Sequence, residues 1–235
     1  MQLSKRLQAL ANLVSQDHVL ADVGCDHGYI PIFLIQNHRI PKAIAMDIGE
    51  GPLQRAQENI RSYGLEGYIE TRLSDGLAKL NPGEADTILI SGMGGPLMEK
   101  IITEGKSVAE QADEMILQPQ SDIPRFRKFL TEMGYVIMQE NMIEEDGKYY
   151  PMMKAVRGNA QPCSELEYRY GPVLLRQCHP VLKQYLERER DNLQLIVDNL
   201  RKQSGESVQK RLLELEQEQQ ISREALDSYE CKKDY

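Results

Sequence analysis

One stretch constrains the fold more than any other: Ala21-Asp22-Val23-Gly24-Cys25-Asp26-His27-Gly28-Tyr29. Val19 to Val23 reads as a short apolar strand. Gly24 then permits a backbone path that a side chain would obstruct, Gly28 permits close approach of a loop or ligand, and a helix begins at once near Tyr29. A strand running through a glycine turn straight into a helix is the entry to a nucleotide-type α/β sheet. In a dinucleotide site a further glycine would stand in the turn, and pyrophosphate would rest on the helix N-terminus. Asp26 and His27 stand there instead. A carboxylate in that turn repels pyrophosphate and suits a ligand with a cationic amino-acid head and no phosphate, as S-adenosylmethionine has.

From there to Arg157 the chain alternates strands and helices. Strands are expected at Lys42 to Met46, Tyr68 to Leu73, Thr87 to Ile90, Glu114 to Gln118, Tyr135 to Gln139 and Tyr150 to Val156. Helices are expected at Tyr29 to Asn37, Pro52 to Tyr63 with Gly64 as its stop, from Leu97 to Ile102, and from an Asp122 cap to Met133. Apolar strands separated by helices predict a parallel sheet covered on both faces, and the last two strands predict an antiparallel edge. Acidic or glycine-rich residues recur after successive strands. Asp47, with Ile48 beside it, follows Gly28 by about 20 positions, the spacing of a carboxylate that grips ribose hydroxyls. Asp75 and Gly76 follow the third strand, where a carboxylate can accept from an adenine amine. Ser91, Gly92, Met93 and Gly94 follow the fourth, placing bare backbone beside the same pocket. Gln118 ends the fifth, and its amide can bond a base edge or cap the next helix. Ligands in such sheets bind outside the carboxyl ends of the strands.

Beyond Gly158 the composition shifts. Leu182, Leu186, Leu193, Ile196 and Leu200 form an apolar stripe interrupted by Glu189. Ser204-Gly205 offers a connection, and Val208, Leu212, Leu215 and Leu226 continue a weaker stripe. The expected architecture is an α/β domain over residues 1–158 and a helical, coiled-coil-like hairpin over 159–235. The chain has 235 residues and a net charge of −8, with −6 in residues 1–160 and −2 beyond. That disfavours a purely electrostatic nucleic-acid binder and leaves room for a shape-specific enzyme. Four cysteines (Cys25, Cys163, Cys178, Cys231) without paired spacing argue against a disulfide framework or a zinc site. No apolar run reaches the roughly 18 residues of a membrane helix. A cytoplasmic protein without metal is expected, monomeric by preference.

The motifs ADVGCDHGYIP, the acidic Asp47, SDGL at Ser74 to Leu77, SGMGG at Ser91 to Gly95 and LQPQ at Leu117 to Gln120, in this order, resemble the bacterial tRNA (adenine-22-N1)-methyltransferase family. The resemblance extends over nearly the whole chain, hairpin included. It implies a Rossmann-like class I methyltransferase sheet followed by a C-terminal coiled-coil domain, S-adenosylmethionine as cofactor, and methylation of N1 of adenine 22 in the D arm of tRNA. It assigns the cofactor to the turn from Asp22 to Gly28 with Asp47 and Asp75, and the substrate side to Ser91–Gly95 and the loop around Gln118.

Ring N1 has an in-plane lone pair and needs exposure, alignment and help with the positive charge that forms on the base. Asp26 is a candidate for that help. The alternative is that it touches only the methionine amine. Tyr29 and Met93 can stack on an exposed base or serve packing. Basic groups that can meet RNA are Lys5 and Arg6, then Arg125, Arg127 and Lys128, and on the hairpin Arg188, Arg190, Arg201, Lys202, Lys210 and Arg211. Competing readings are another RNA or small-molecule methyltransferase, an NAD enzyme, and a non-catalytic protein built on the hairpin.

Overall fold

The structure is a computed structural model that describes residues 1–230. Cys231 and the end of the 159–235 segment lie outside the described residues. The chain divides into two compact units, Met1–Pro162 and Cys163–Tyr235.

In the first unit, α1 (Lys5–Leu13) precedes β1 (Leu20–Val23), and a short 3-10 turn at Asp26–Gly28 leads into α2 (Tyr29–Gln36). Then follow β2 (Ala43–Asp47), α3 (Glu50–Ser62), β3 (Ile69–Leu73), β4 (Thr87–Met93), α4 (Gly95–Glu104), α5 (Lys106–Ala109), β5 (Glu114–Pro119), α6 (Ile123–Glu132), β6 (Tyr135–Glu145) and β7 (Lys148–Arg157). The seven strands form one sheet in the order β3-β2-β1-β4-β5-β7-β6. The first five are mutually parallel, and β7 runs antiparallel to both β5 and β6. The parallel sheet and the antiparallel edge expected from the sequence are both present.

Alternate residues of the central strands feed two cores. Ala21, Val23, Ile88, Ile90, Met115 and Leu117 pack with Met98 and Ile102 of α4 and Phe126 and Leu130 of α6. Leu20, Ala43, Ala45, Leu89 and Ile116 pack with Leu10 and Leu13 of α1, Ile32 and Leu34 of α2, and Ala56 and Ile60 of α3. All of β5 is buried, which is why the strand reads as a continuous rather than alternating apolar run. Its one carboxylate, Glu114, is matched inside by Lys154 at 2.7 Å and by the Ser15 hydroxyl and backbone N–H. Those bonds hold its carboxyl below the usual range against the opposing effect of burial.

Three local expectations are corrected and one helix is added. The strand β4 continues through Ser91 and Gly92 to Met93, with a bulge against β5 between Ser91 and Met93. These residues therefore belong to an irregular strand end rather than a loop. Asp122 stands at the N-cap of α6 but has a left-handed backbone, φ 52°, and its side chain makes no capping bond. Pro124 in the first turn removes one of the donors that a cap would satisfy. Arg127, grouped above with surface cations, is buried and ion-paired with buried Glu140 at 2.9 Å. Helix α1, absent from the expected elements, has a serine cap, Ser4, accepting from the Leu7 N–H, a residue type well suited to that position.

The second unit holds α7 (Glu165–Tyr170), α8 (Pro172–Arg176), α9 (Pro180–Leu200) and α10 (Glu206–Glu230). The last two pair through Leu193, Val197 and Leu215, with Leu200 and Leu212 alongside. Val197 rather than Ile196 is the buried member of the α9 stripe, and Ile196 is 46% exposed. The helix period drifts past a strict 4-3 spacing and turns the neighbouring residue inward. The polar intruder Glu189 is taken up by hydroxyls of Tyr170 and Tyr185 and by Arg169.

Candidate active site

The carboxyl ends of β1 and β4 and the first turn of α1 enclose a cleft of about 350 Å³, a size suited to a small-molecule ligand. Its lining includes Arg6, Asp22, Gly24, Cys25, Asp26, His27, Tyr29, Ser91, Gly92 and Gln120. Most of these are candidate site residues of the sequence analysis. Gly24 adopts φ +77°, and the Met93 methyl occupies the space a Cβ would need. Only glycine serves there. His27 is also left-handed, φ 59°, an uncommon state for a residue with a side chain. It is held by Asn59, whose amide donates to the His27 carbonyl, and its ring stacks on Tyr29 with centroids 5.0 Å apart.

Asp22 is the buried carboxyl of the cleft, 4% exposed. Burial, and then the nearby Asp47 carboxylate, push its carboxyl up to about 7, both causes disfavouring the ionised form. Cys25 is buried, and burial first, then the Asp22 and Asp47 carboxylates, push its thiol up, which disfavours the thiolate. Asp26 is more exposed and receives Arg55 of α3 at 2.9 Å. Asp47 is half-buried, and its Oδ1 accepts from the Gly49 N–H at 2.8 Å. Ile48 beside it is 69% exposed, as is Leu73 at 47%, and the β2–β3 register places Asp47 opposite Leu73. Two apolar side chains and a carboxylate thus stand open at adjoining strand ends.

The remaining candidates are placed as follows. Gly28 is buried at the start of α2. Asp75 and Gly76 border a smaller depression of about 90 Å³ with Leu97 and Lys100, and Gly76 packs on Ile101. Met93 is half-buried against the sheet core. Gly94 caps α4. Gln118 is fully buried; its amide carbonyl accepts from Arg6 and its amide N–H bonds the Pro119 carbonyl, while Gln120 supplies the amide that lines the cleft. Arg125 pairs with Glu99 at 2.8 Å. Within the second unit, Arg188 and Arg190 lie on α9, the latter paired with Asp191, and Lys210 and Arg211 are exposed on α10, the latter paired with Glu214. Local sequence shows Arg6 only as a surface cation; its place in the cleft depends on Gln118, 112 positions away. Among the described residues, no cluster of His, Cys, Asp and Glu could hold a metal ion, and no helix is long and apolar enough to cross a membrane.

A 3-2-1-4-5-7-6 sheet with an acidic, glycine-lined cleft over β1 and β4 defines a methyltransferase, and a family model described as a methyltransferase domain matches residues 3–153. The chain is 32% identical over 233 residues to the tRNA (adenine(22)-N(1))-methyltransferase of Bacillus subtilis, covering 97% of this chain and 98% of that one. The crystal structure of the B. subtilis m1A22 tRNA methyltransferase TrmK aligns with a TM-score of 0.84 at 31% identity, covering 96% and 99%. The M. capricolum TrmK structure, in complex with S-adenosyl-homocysteine, aligns at 0.82 and 29% identity, covering 97% and 100%. The chain belongs to the tRNA (adenine(22)-N(1))-methyltransferase family.

Proposed function

We propose that this protein transfers the methyl group of S-adenosylmethionine to N1 of adenine 22 in the D arm of tRNA. The observation that carries the reading is the meeting, in one cleft, of buried Asp22, the Gly24–Tyr29 turn and the β4 end at Ser91 and Gly92. The donor set fits the cofactor. Asp22 offers a buried carboxylate to an ammonium, Gly24 leaves a cradle that a Cβ would fill, and Asp47 offers a carboxylate to ribose hydroxyls. Ile48 and Leu73 offer apolar surface to an adenine ring, with Asp75 and Gly76 nearby in sequence. When bound, the cofactor supplies a methyl group on a sulfonium.

The chain's own residues then do three things. The turn and the β4 end hold the two reactants at attack distance, a large share of the barrier for a nucleophile with a free lone pair. Tyr29, 36% exposed at the cleft, presents a ring on which an extruded base can stack. Asp26 opposes the positive charge that forms on the methylated base and accepts from its N6 amine. Its bond to Arg55 is exposed on both sides, so displacing it costs under about 1 kcal/mol. Recognition of the tRNA body falls to the second unit through Arg188, Arg190, Lys210 and Arg211, with Arg125 of the first unit. The protein works as a cytoplasmic monomer.

The test is transfer of labelled methyl from S-adenosylmethionine to an unmodified tRNA pool, with the modified nucleotide mapped. Label at N1 of adenine 22 supports the reading. Label elsewhere, or none with folded protein, overturns it.

A further inference from the structure

The crossover from β3 to β4 is made without a helix. Residues 74–86 leave β3 at the sheet edge, pass β2 and β1, and enter β4 as a run of turns. Crossovers between parallel strands usually hold a helix, whose own ladder satisfies the backbone. Here side chains take over part of that work. Leu77, Leu80 and Ala85 bury the apolar side of the segment in the sheet core, and one arginine gathers its polar side. Arg72 of β3 donates from Nη1 to the Lys79 carbonyl at 2.7 Å, and from Nη1 and Nη2 to the two oxygens of Glu84 at 3.0 and 2.8 Å. Its Nε and Nη2 also donate to Glu70 on the same strand. Glu84 in turn accepts from the Asn81 N–H at 2.8 Å. The Arg72 bond, and then that N–H, draw the Glu84 carboxyl down to about 2, so the clasp stays charged through the neutral range.

The clasp leads back to the start of the segment, Ser74-Asp75-Gly76. Ser74 is buried, and its N–H bonds the Asp47 carbonyl. Its hydroxyl donates to the Gly76 carbonyl and accepts from the Lys79 N–H. Lys79 thus meets Arg72 through its carbonyl and Ser74 through its N–H. Gly76, φ +52°, is pressed on α4, where a Cβ would stand 3.0 Å from Ile101. Between these anchors Asp75 is exposed, and among the described residues its carboxylate takes no hydrogen bond. Asp75 is therefore placed by its backbone alone, and the far side of that loop is tied to β3 by Arg72 and Glu84.

Resting on the methyltransferase reading above, we propose that Arg72 and Glu84 are positioning residues for base selection. They hold the 74–84 loop so that the Asp75 carboxylate stands where a purine amine can donate to it, and the enzyme thereby tells adenine from a 6-oxopurine. An ionised carboxylate only accepts: facing an amine it gains a charge-assisted hydrogen bond, and facing a carbonyl oxygen it meets a second acceptor. That difference is large only when the carboxylate is held in place, because an untied loop turns aside. A clasp that served the fold alone would, when lost, weaken both kinds of ligand alike.

The experiment is calorimetric titration of the full-length protein with S-adenosylhomocysteine and with S-inosylhomocysteine, which carries an oxygen in place of the purine amine. Wild type should prefer the first about 10–100-fold, the worth of a hydrogen bond to a charged group. Arg72→Met should weaken S-adenosylhomocysteine binding about 5–20-fold and S-inosylhomocysteine binding less than about twofold. Arg72→Lys and Glu84→Gln each keep part of the clasp; they should lie between, and they carry the same comparison if Arg72→Met does not fold. In an Asp75→Ala background, Arg72→Met should cost less than about twofold more, because the group it positions is gone. Equal losses for both ligands, or a full loss that persists without Asp75, make the clasp merely structural and overturn the proposal. Unchanged S-adenosylhomocysteine affinity in the clasp variants overturns it too. A wild-type protein that binds neither ligand overturns the methyltransferase reading and this inference with it; a wild type that binds both equally overturns this inference alone.

Discussion

Asp22 and Asp47 lie towards the carboxyl ends of neighbouring parallel strands, and the charge of the second helps keep the first protonated. The β1–β2 register pairs Val23 with Met46, so Asp47 stands one ladder position beyond the last pair and close to the buried carboxyl of Asp22. Burial is the larger cause of the upward shift and Asp47 the smaller. In the free protein this carboxyl changes its charge near neutral pH, where a cationic ligand would ionise it.

The first prediction follows from that titration. A carboxyl raised from 3.8 to about 7 on folding binds its proton more tightly in the folded state. Its contribution therefore favours folding at low pH and is lost as pH rises from about 4 to about 7. Asp22→Asn should raise the Tm of the ligand-free protein relative to wild type at about pH 8 and lose that advantage near about pH 4, the full difference being roughly 2–4 kcal/mol. S-adenosylhomocysteine binding to wild type should tighten as pH rises through neutrality, and in Asp22→Asn it should be weak and flat. Melting and calorimetry across this range check both, and a wild-type affinity independent of pH would contradict the assignment.

Asp47→Ala removes the proposed ribose acceptor and one cause of the Asp22 shift. Cofactor binding should weaken by about 1–3 kcal/mol. The midpoint of its pH dependence should move down, because Asp22 then ionises more readily. The two effects are separable in one titration series, and an unmoved midpoint would mean that the carboxylates do not communicate.

For Asp26, substitution by Asn keeps the size and one acceptor but removes the charge. Single-turnover methylation with both substrates saturating should slow by roughly 10²–10³. Cofactor affinity should fall much less, since Asp22 and Asp47 remain. A sharp loss of affinity with an unchanged chemical step would make Asp26 a cofactor ligand only.

Arg127 and Glu140 form a buried pair with side chains 2% and 0% exposed. Arg127→Ala strands a carboxylate in the interior and should cost about 3–5 kcal/mol of stability by denaturant titration. Replacing both members with Met and Leu should recover much of it. A variant of normal stability that loses only tRNA affinity would return Arg127 to the surface face suggested by its neighbours Arg125 and Lys128.

What the sequence reveals and what it conceals divide along sequence distance. Gly24, Gly28 and Gly64 mark turns because their backbone requirement is local, and the helices beside them lie within a residue or two of their expected bounds. Strand β4 reads as ending at Ile90 because Ser91-Gly92 resembles a turn, although pairing with Gln118 and Pro119 carries it to Met93. The partners of Arg6, Gln118 and Arg127 escape the sequence reading for one reason. Each residue takes its role from a partner that no local pattern announces: Arg6 and Gln118 from each other, Arg127 from Glu140 on another element. Ser4 carries a legible cap, but α1 is short and its docking surface lies at the far end of the unit.

That docking sets an order of events during synthesis. The backbone N–H of Lys5 bonds Glu145 at 2.7 Å, 140 positions later, and Ser15 is held by Glu114 and Lys154. At typical ribosomal speeds the N-terminal segment waits roughly 7–30 s for these partners. Until Glu145 and Lys154 emerge, the helix that carries Arg6 rests only on α2 and on the ends of β5. A nascent chain that has already made β1 to β5 therefore holds every residue that lines the cleft but still lacks the strand edge that fastens α1 at Lys5 and Ser15.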